Sequence, residues 1–132
     1  MRLTDAVGHI CLYFALCTLF LPASRLLEAA SKFYLSMFPD LDLVWKHRKA
    51  LHNIWVWLIP TIIWGFKPIF TIAFTSHILL DFLTKSGVYP LWPVDGLNLH
   101  FILKSGWQTA LVGMLALAGS IIYKFYKFIP PV

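Results

Sequence analysis

The stretch IFTIAFTSHILLDFL, residues 69–83, is an apolar segment of helical length that carries only two ionisable side chains, His77 and Asp81. Because these residues lie four positions apart, an α-helix places both side chains on one face, one turn from each other. Ionisable groups inside apolar segments are costly and mark functional sites by default. The pair predicts either a shared cation or, more simply, a hydrogen bond between the two side chains.

The composition of the whole chain places this segment in a membrane. The chain has 132 residues, 59% of them hydrophobic and 13% charged, with a mean hydropathy of +0.73, whereas soluble domains carry roughly 25% charged residues. A globule of this size leaves about 30% of its unfolded surface in water. We therefore expect lipid to cover the excess apolar surface of one membrane-embedded domain, residues 1–132.

Three more apolar segments, residues 6–21, 51–66 and 107–123, bring the total to four. None shows the alternation of a strand, so the fold class is all-α: an integral membrane protein with about four apolar helices. Gly65 and Pro68 predict a tight connection between the two middle helices, and Pro60 predicts a kink or a break. Asp5 is unusual in a secretory signal, so the first segment is interpreted as a retained helix.

Residues 23–37 alternate apolar and charged side chains at helical spacing, which predicts an amphipathic helix at the membrane interface that ends at Pro39. Gly87 is expected to cap the helix over 69–83 at its C-terminus. Cys11 and Cys17 are six residues apart on one helix and cannot form a disulfide with each other.

The net charge of +5 comes from 11 Lys and Arg against 6 Asp and Glu. Without a dense basic stripe, this excess favours an anionic membrane surface, and nucleic acid is not expected as a partner. Seven of the basic residues fall in the two long loops and four on the other side. If all four segments span, this distribution places both termini outside and the long loops in the cytoplasm.

Two further clusters carry metal-binding residue types. Asp40 and Asp42 flank Leu41, and in an extended chain their carboxylates point the same way. This arrangement is compatible with a metal site, and equally with an ordinary turn after a proline. His47 and His52 would lie about 140° apart on a continuous helix and cannot bind one ion from the same face unless the chain breaks between them. Imidazole with carboxylate is a ligand set for zinc, manganese or iron.

Taken in order, these blocks resemble the YdjM family of LexA-regulated, membrane-bound, metal-dependent hydrolases. The resemblance rests on Gly8 and His9, on the run Phe38, Pro39, Asp40, Leu41, Asp42, on His47, Arg48 and His52, and above all on residues 76–84 with Gly87, Val88, Leu91, Trp92 and Pro93. Leu43 and Asn53 depart from the family pattern, which has a histidine and a serine there.

The resemblance implies a metal site assembled from His9, Asp40, Asp42, His52, His77 and Asp81, with zinc first and manganese or iron as alternatives. His47, Arg48 and Asp42 are then the expected catalytic residues. Asp42 would take a proton from the attacking water, and Arg48 would hold phosphate oxygens. If every segment spanned, His9 and His52 would lie near opposite faces, so we expect the short middle pair not to span fully.

The expected function is hydrolysis of a phosphoester in a membrane lipid or lipid-linked substrate, by an integral protein of the cell (inner) membrane. Two other functions remain open. In a small scaffold protein, the same His and Asp side chains make interhelical hydrogen bonds of about 1 kcal/mol each. In a cation or proton carrier, His77 and Asp81 act as a relay.

Overall fold

The fold is known from a computed structural model that describes residues 3–44, 50–94 and 97–127, with the side chains of residues 42–44 outside the described part. The regular secondary structure of the described chain is all helical, with two isolated β-bridges but no strand. Its α-helices are α1 (Leu3–Phe20), α2 (Leu26–Ser31), α3 (Trp55–Trp64), α4 (Pro68–Phe82) and α5 (Trp107–Tyr126); its 3₁₀ segments are Ala23–Arg25 and Phe33–Val44.

Helices α1 and α5 pack closely along their length and run parallel. At their N-terminal ends, the backbone N–H of Gly106 donates to the Asp5 carboxylate, and the Thr109 hydroxyl lies 2.9 Å from the same oxygen. At their C-terminal ends, Lys124 Nζ donates to the backbone carbonyls of Thr18 and Leu21. The Asp5 carboxylate thus accepts a backbone donor at the start of α5, and Lys124 supplies a donor for α1 carbonyls that have no helical partner.

The parallel arrangement differs from the topology expected if all four segments span. The first residues of α1 and the last residues of α5 lie at opposite ends of the helix pair, whereas four spanning segments would place both termini on one side. Only α1 and α5 among the described helices are long and apolar enough to cross a membrane. Helices α3 and α4 have 10 and 15 residues, or about 15 and 22 Å, short of a hydrocarbon core of about 30 Å. Four spanning helices are therefore not confirmed.

Two glycines make the close contact between α1 and α5 possible. A Cβ atom added at Gly8 would lie 2.6 Å from the backbone oxygen of Thr109, and one added at Gly113 would clash with the backbone of Gly8. Small residues at such crossings let helix backbones approach and gain van der Waals contact. The α1–α5 pair therefore depends on the absence of side chains at positions 8 and 113.

We expect Gly113→Ala to lower the free energy of unfolding by about 1–3 kcal/mol, because a methyl group there must push two backbones apart. The matched control is Gly119→Ala on the same helix, where an added Cβ meets nothing within 4 Å. That variant should be neutral or stabilised by up to about 1 kcal/mol, since alanine favours a helix. Equilibrium unfolding in detergent measures both, and equal stability of the two variants would contradict this account of the crossing.

Helix α4 runs antiparallel to α1 and completes the core. Ile69 and Ala73, early in α4, belong to one buried cluster with Tyr13, Cys17, Leu21 and Ala29, whereas Asp81, late in α4, lies beside His9. The Tyr13 hydroxyl donates to the Ala29 carbonyl at 2.8 Å and links α1 to α2. Cys11 and Cys17 are both free. This packing brings the last two turns of α4 next to the first third of α1.

The amphipathic helix predicted over residues 23–37 is wrong as a single element. The chain forms the 3₁₀ turn Ala23–Arg25, then α2, and continues from Phe33 as the 3₁₀ segment Phe33–Val44, which contains Pro39 instead of ending there. On α2, the exposed Glu28 pairs with Lys32 and Arg25, whose hydrogen bonds lower the pKa of its carboxyl group. The 3₁₀ winding carries Ser36 and Asp40 to α4.

Around α3, some local predictions hold and others do not. The tight connection is confirmed, with Gly65 at a φ of 76° and Pro68 at the first position of α4. Pro60 does not break α3, which continues through it. The helix starts at Trp55 and not at residue 51, and the residues before it form a turn. Trp57 Nε1 donates to the Thr71 hydroxyl at 3.0 Å and joins α3 to α4.

Gly87 does not cap α4, whose C-cap is Leu83. It lies instead in the following turn with a φ of 65°, and an added Cβ there would clash with Leu99 and Asn98. Two β-bridges, Thr84↔Leu103 and Val88↔Leu99, pair the chain on either side of this turn with the residues that lead to α5. This loop returns the chain from the end of α4 to the start of α5 at the same end of the molecule.

Candidate metal centre

Four elements converge at the end of the molecule where α1 begins and α4 ends. Helix α4 supplies His77 and Asp81, one turn apart on its buried face, and the 3₁₀ segment Phe33–Val44 supplies Asp40. The turn before α3 supplies His52, and α1 supplies His9. All five side chains are buried, with exposed fractions from 0% to 8%. Their clustering is a tertiary feature, because only His77 and Asp81 are close in sequence.

Four of these residues bring one ligand atom each to a common point. The Nε2 atoms of His52 and His77 are 3.1 Å apart, and they lie 3.1 and 3.5 Å from Asp81 Oδ2. Asp40 Oδ1 lies 3.8 and 3.7 Å from the same two nitrogens. All four ligand atoms lie within 4.8 Å of one another, so this group can hold a metal ion.

A hydrogen bond on the far side of its ring orients His77. Its Nδ1 lies 2.6 Å from the Ser36 carbonyl oxygen, and because a carbonyl can only accept, Nδ1 carries the proton. In the neutral imidazole the lone pair is then on Nε2, which faces His52 and the two carboxylates. Backbone carbonyls hold metal-binding histidines in this way, fixing both the tautomer and the ring orientation.

The spacing of the four atoms fits a divalent ion. Zinc bonds of about 2.0–2.2 Å to nitrogen and oxygen place tetrahedral ligand atoms about 3.3–3.6 Å apart, close to the 3.1–3.8 Å between the pairs given above. Two facing Nε2 atoms at 3.1 Å require a proton or a cation between them. Asp40 Oδ2 is buried without a hydrogen-bond partner in the described chain, and a bound cation would offset that cost.

His9 lies beside the four-residue group and not within it. Its ring stacks on His77 with the centroids 4.0 Å apart and the planes 12° from parallel. Its Nε2 is 3.6 Å from Asp81 Oδ1, whereas Asp81 Oδ2 is the oxygen near His52 and His77. His9 is thus placed to hold the orientation of Asp81 and His77 instead of supplying one of the four converging atoms.

Asn53 fixes the turn that presents His52. Its side-chain Nδ2 donates to the Ala50 carbonyl at 2.7 Å, and its Oδ1 accepts from the Trp55 backbone N–H at 3.1 Å. The same side chain therefore closes the turn and satisfies a free N–H at the start of α3. His52 therefore lies in a turn before α3, whereas His47 lies outside the described residues.

The remaining predicted residues lie outside the described part of the chain. These are His47 and Arg48, together with the side chain of Asp42; their expected roles stay predictions. Sequence reasoning missed the Ser36 carbonyl, for which no signal existed, because a backbone acceptor leaves no trace in residue type. The role of Asn53 in the turn was also missed, because this residue was noted only as a departure from the YdjM-family motif. Asn before an apolar helix is nevertheless a known turn and capping signal.

Comparisons with known proteins add nothing to this geometry: no family model, curated protein or solved structure matches the chain. The likeness to the YdjM family accordingly stays a prediction based on its motif residues.

Proposed function

We propose that this chain is a membrane-embedded, metal-dependent hydrolase that cleaves a phosphoester in a lipid or lipid-linked substrate. The observation that carries the proposal is the convergence of Asp40, His52, His77 and Asp81 at metal-ligand spacing. Buried imidazole and carboxylate side chains in an otherwise apolar protein are costly, which points to function. Zinc fits this ligand set first, and manganese or iron are alternatives.

The exposed surface supports a position in the membrane. Only 33% of the apolar window of α1 and 22% of that of α5 are buried, whereas the core helix of a soluble protein is mostly buried. The exposed residues of α5 include Leu111, Met114, Leu115, Ile121 and Ile122. Apolar patches of this extent need lipid or a partner to cover them. We assign the chain to the cell (inner) membrane.

In this proposal each described residue has a defined task. A bound divalent cation would activate a water molecule and stabilise the charge that develops on the phosphoryl oxygens. His52, His77, Asp81 and Oδ1 of Asp40 would hold that cation, and the Ser36 carbonyl keeps the Nε2 lone pair of His77 directed at it. Asp40 has a second oxygen, Oδ2, without a partner in the described chain. That oxygen can accept the proton of the attacking water, the role also predicted for Asp42.

Removal and return of metal test the proposal on the full chain in detergent. We expect elemental analysis to find about one zinc, manganese or iron per chain. A chelator should abolish phosphate release from a lipid phosphomonoester, and added zinc should restore it. Protein purified without metal that also takes up none would refute the hydrolase and favour the scaffold, in which the cluster makes hydrogen bonds alone. Bound metal that supports no hydrolysis of any lipid phosphoester would instead favour the cation carrier.

A further inference from the structure

Helix α3 is an apolar helix that the rest of the protein covers only in part. None of its ten residues is buried, although nine of them are apolar or proline, and Ile59, Ile62, Ile63 and Trp64 are all exposed. A helix that is apolar all round normally buries its surface. Two grooves adjoin this helix.

The first groove, of about 810 Å³, is lined by Phe38, Asn53, Val56, Ile59, Trp64 and Trp92 among others. The second, of about 440 Å³, is lined by His52, Asn53, Trp57, Phe74, Ile78 and Leu79 among others. Both volumes fall in the range of small-molecule sites, about 300–1,000 Å³. Each groove is apolar along most of its length.

The two grooves meet at Asn53, next to the metal centre. Asn53 lines both of them, and it follows His52, which itself lines the second groove. Phe38 in the first groove is two residues from Asp40 on the same 3₁₀ segment. The two apolar grooves thus share a wall residue next to the polar cluster; α3 supplies Val56, Ile59 and Trp64 to the first and Trp57 to the second.

An unpaired donor at this junction indicates what chemistry the occupant offers. Trp55 lines the first groove at the start of α3, and its Nε1 is buried without a hydrogen-bond partner in the described chain. A buried N–H left unpaired is unfavourable, because it has lost its hydrogen bond to water without gaining another. A small shift of the indole would let it donate to an ester oxygen of a lipid, which pure hydrocarbon could not provide.

We propose that the two grooves take the two acyl chains of one diacyl phospholipid, whose headgroup phosphoester then lies at the metal centre. This inference deepens the proposed function, on which it rests for the identity of the headgroup. The chemistry of the junction matches such a molecule: a charged end near His52, ester oxygens near Trp55, one hydrocarbon chain along α3 and the other along α4. A single-chain lipid would fill one groove and leave the other open.

Photo-crosslinking to the full chain in phosphatidylcholine nanodiscs tests the inference. The probes are two forms of diacyl phosphatidic acid, with a diazirine in either the sn-1 or the sn-2 chain, and a chelator is present so that no hydrolysis occurs. We expect one probe to label Val56 and Ile59 and the other to label Ile78 and Leu79. Each should exceed labelling of Leu115 and Ile122 on α5 by at least about tenfold, equal to about 1.4 kcal/mol of preference.

Tryptophan substitutions provide the matched controls. Ile59→Trp fills the first groove and should remove its label while leaving that of the second. Ile62→Trp, on the same helix but outside both linings and 73% exposed, should leave both labels intact. Equal labelling of α5 would mean surrounding bilayer lipid only, and labelling of one groove by both probes would mean a single-chain site; either result overturns the inference.

The outcome is separable from that of the proposed function. Selective labelling of both grooves in a protein that binds no metal would support the lipid site and refute the hydrolase. Metal-dependent hydrolysis with unselective labelling would support the hydrolase and refute the two-chain site.

Discussion

Replacing Asp81 by asparagine is expected to abolish metal binding and phosphoesterase activity while the protein still folds. Asp81 Oδ2 lies within 3.5 Å of both His52 Nε2 and His77 Nε2, and the side chain is 2% exposed. The amide keeps the shape of the carboxylate but lacks the charge that a divalent cation requires in a buried site. Loss of several kcal/mol of metal-supplied stabilisation corresponds to a decrease in kcat of roughly 10²–10⁴-fold.

Stability of the same variant distinguishes a lost ligand from a lost fold. In the presence of chelator, the free energy of unfolding of Asp81→Asn should be at least as high as that of the wild type. The reason is that a buried carboxylate without a bound cation carries a desolvation cost, whereas the neutral amide does not. Without chelator the order should reverse, because only the wild type gains stability from bound metal.

The matched control for Asp81→Asn is Glu28→Gln. It removes one carboxylate charge from the exposed pairs with Arg25 and Lys32, far in sequence and structure from the centre, and should change neither metal content nor activity. Equal metal content in Asp81→Asn and the wild type would remove Asp81 from the site and reduce the His77–Asp81 pair to a hydrogen bond.

The second large effect separates two histidines that lie in contact. His77→Gln should lose stoichiometric metal, because it deletes the Nε2 that the Ser36 carbonyl orients toward the centre. His9→Gln should weaken metal binding by about 10–100-fold without abolishing it, as is typical when an outer partner of a ligand is removed. Metal titration followed by calorimetry measures both affinities in the detergent-solubilised chain.

His100 provides the control for both histidine variants. It is exposed on the loop between α4 and α5, so His100→Gln should bind metal as the wild type does. If His9→Gln loses as much metal as His77→Gln, then His9 is a direct ligand and its assignment beside the four-residue group is wrong. If His77→Gln keeps full affinity, the candidate centre does not bind metal through α4.

The helical character of the chain and half of the candidate centre follow from local sequence. Continuous apolar runs are long enough to specify α1 and α5, and Gly65 with Pro68 specifies the turn between α3 and α4. The four-residue spacing of His77 and Asp81 fixes them on one face, because helical periodicity depends only on the chain itself. The family-like order of Asp40 and His52 suggested that they join this pair, but no local rule places them there.

Tertiary packing decided the rest. The close contact of Gly8 with Gly113 and the end contacts of Asp5 and Lys124 make α1 and α5 parallel, which charge counting along the chain could not detect. The 3₁₀ segment through Pro39 brings Ser36 and Asp40 to α4, although a proline there predicts the end of a helix.

Residue types and their spacing therefore determined that this protein is helical and apolar and that it contains metal-ligating side chains. Which of those side chains meet, and which one stands beside them as His9 does, was decided by contacts between residues far apart in sequence. The physical reason is that such contacts depend on backbone shape, as in the Ser36 carbonyl that orients His77 and the glycine crossing that aligns α1 with α5. Neither a carbonyl acceptor nor the direction of a distant helix is encoded by the residues immediately around it.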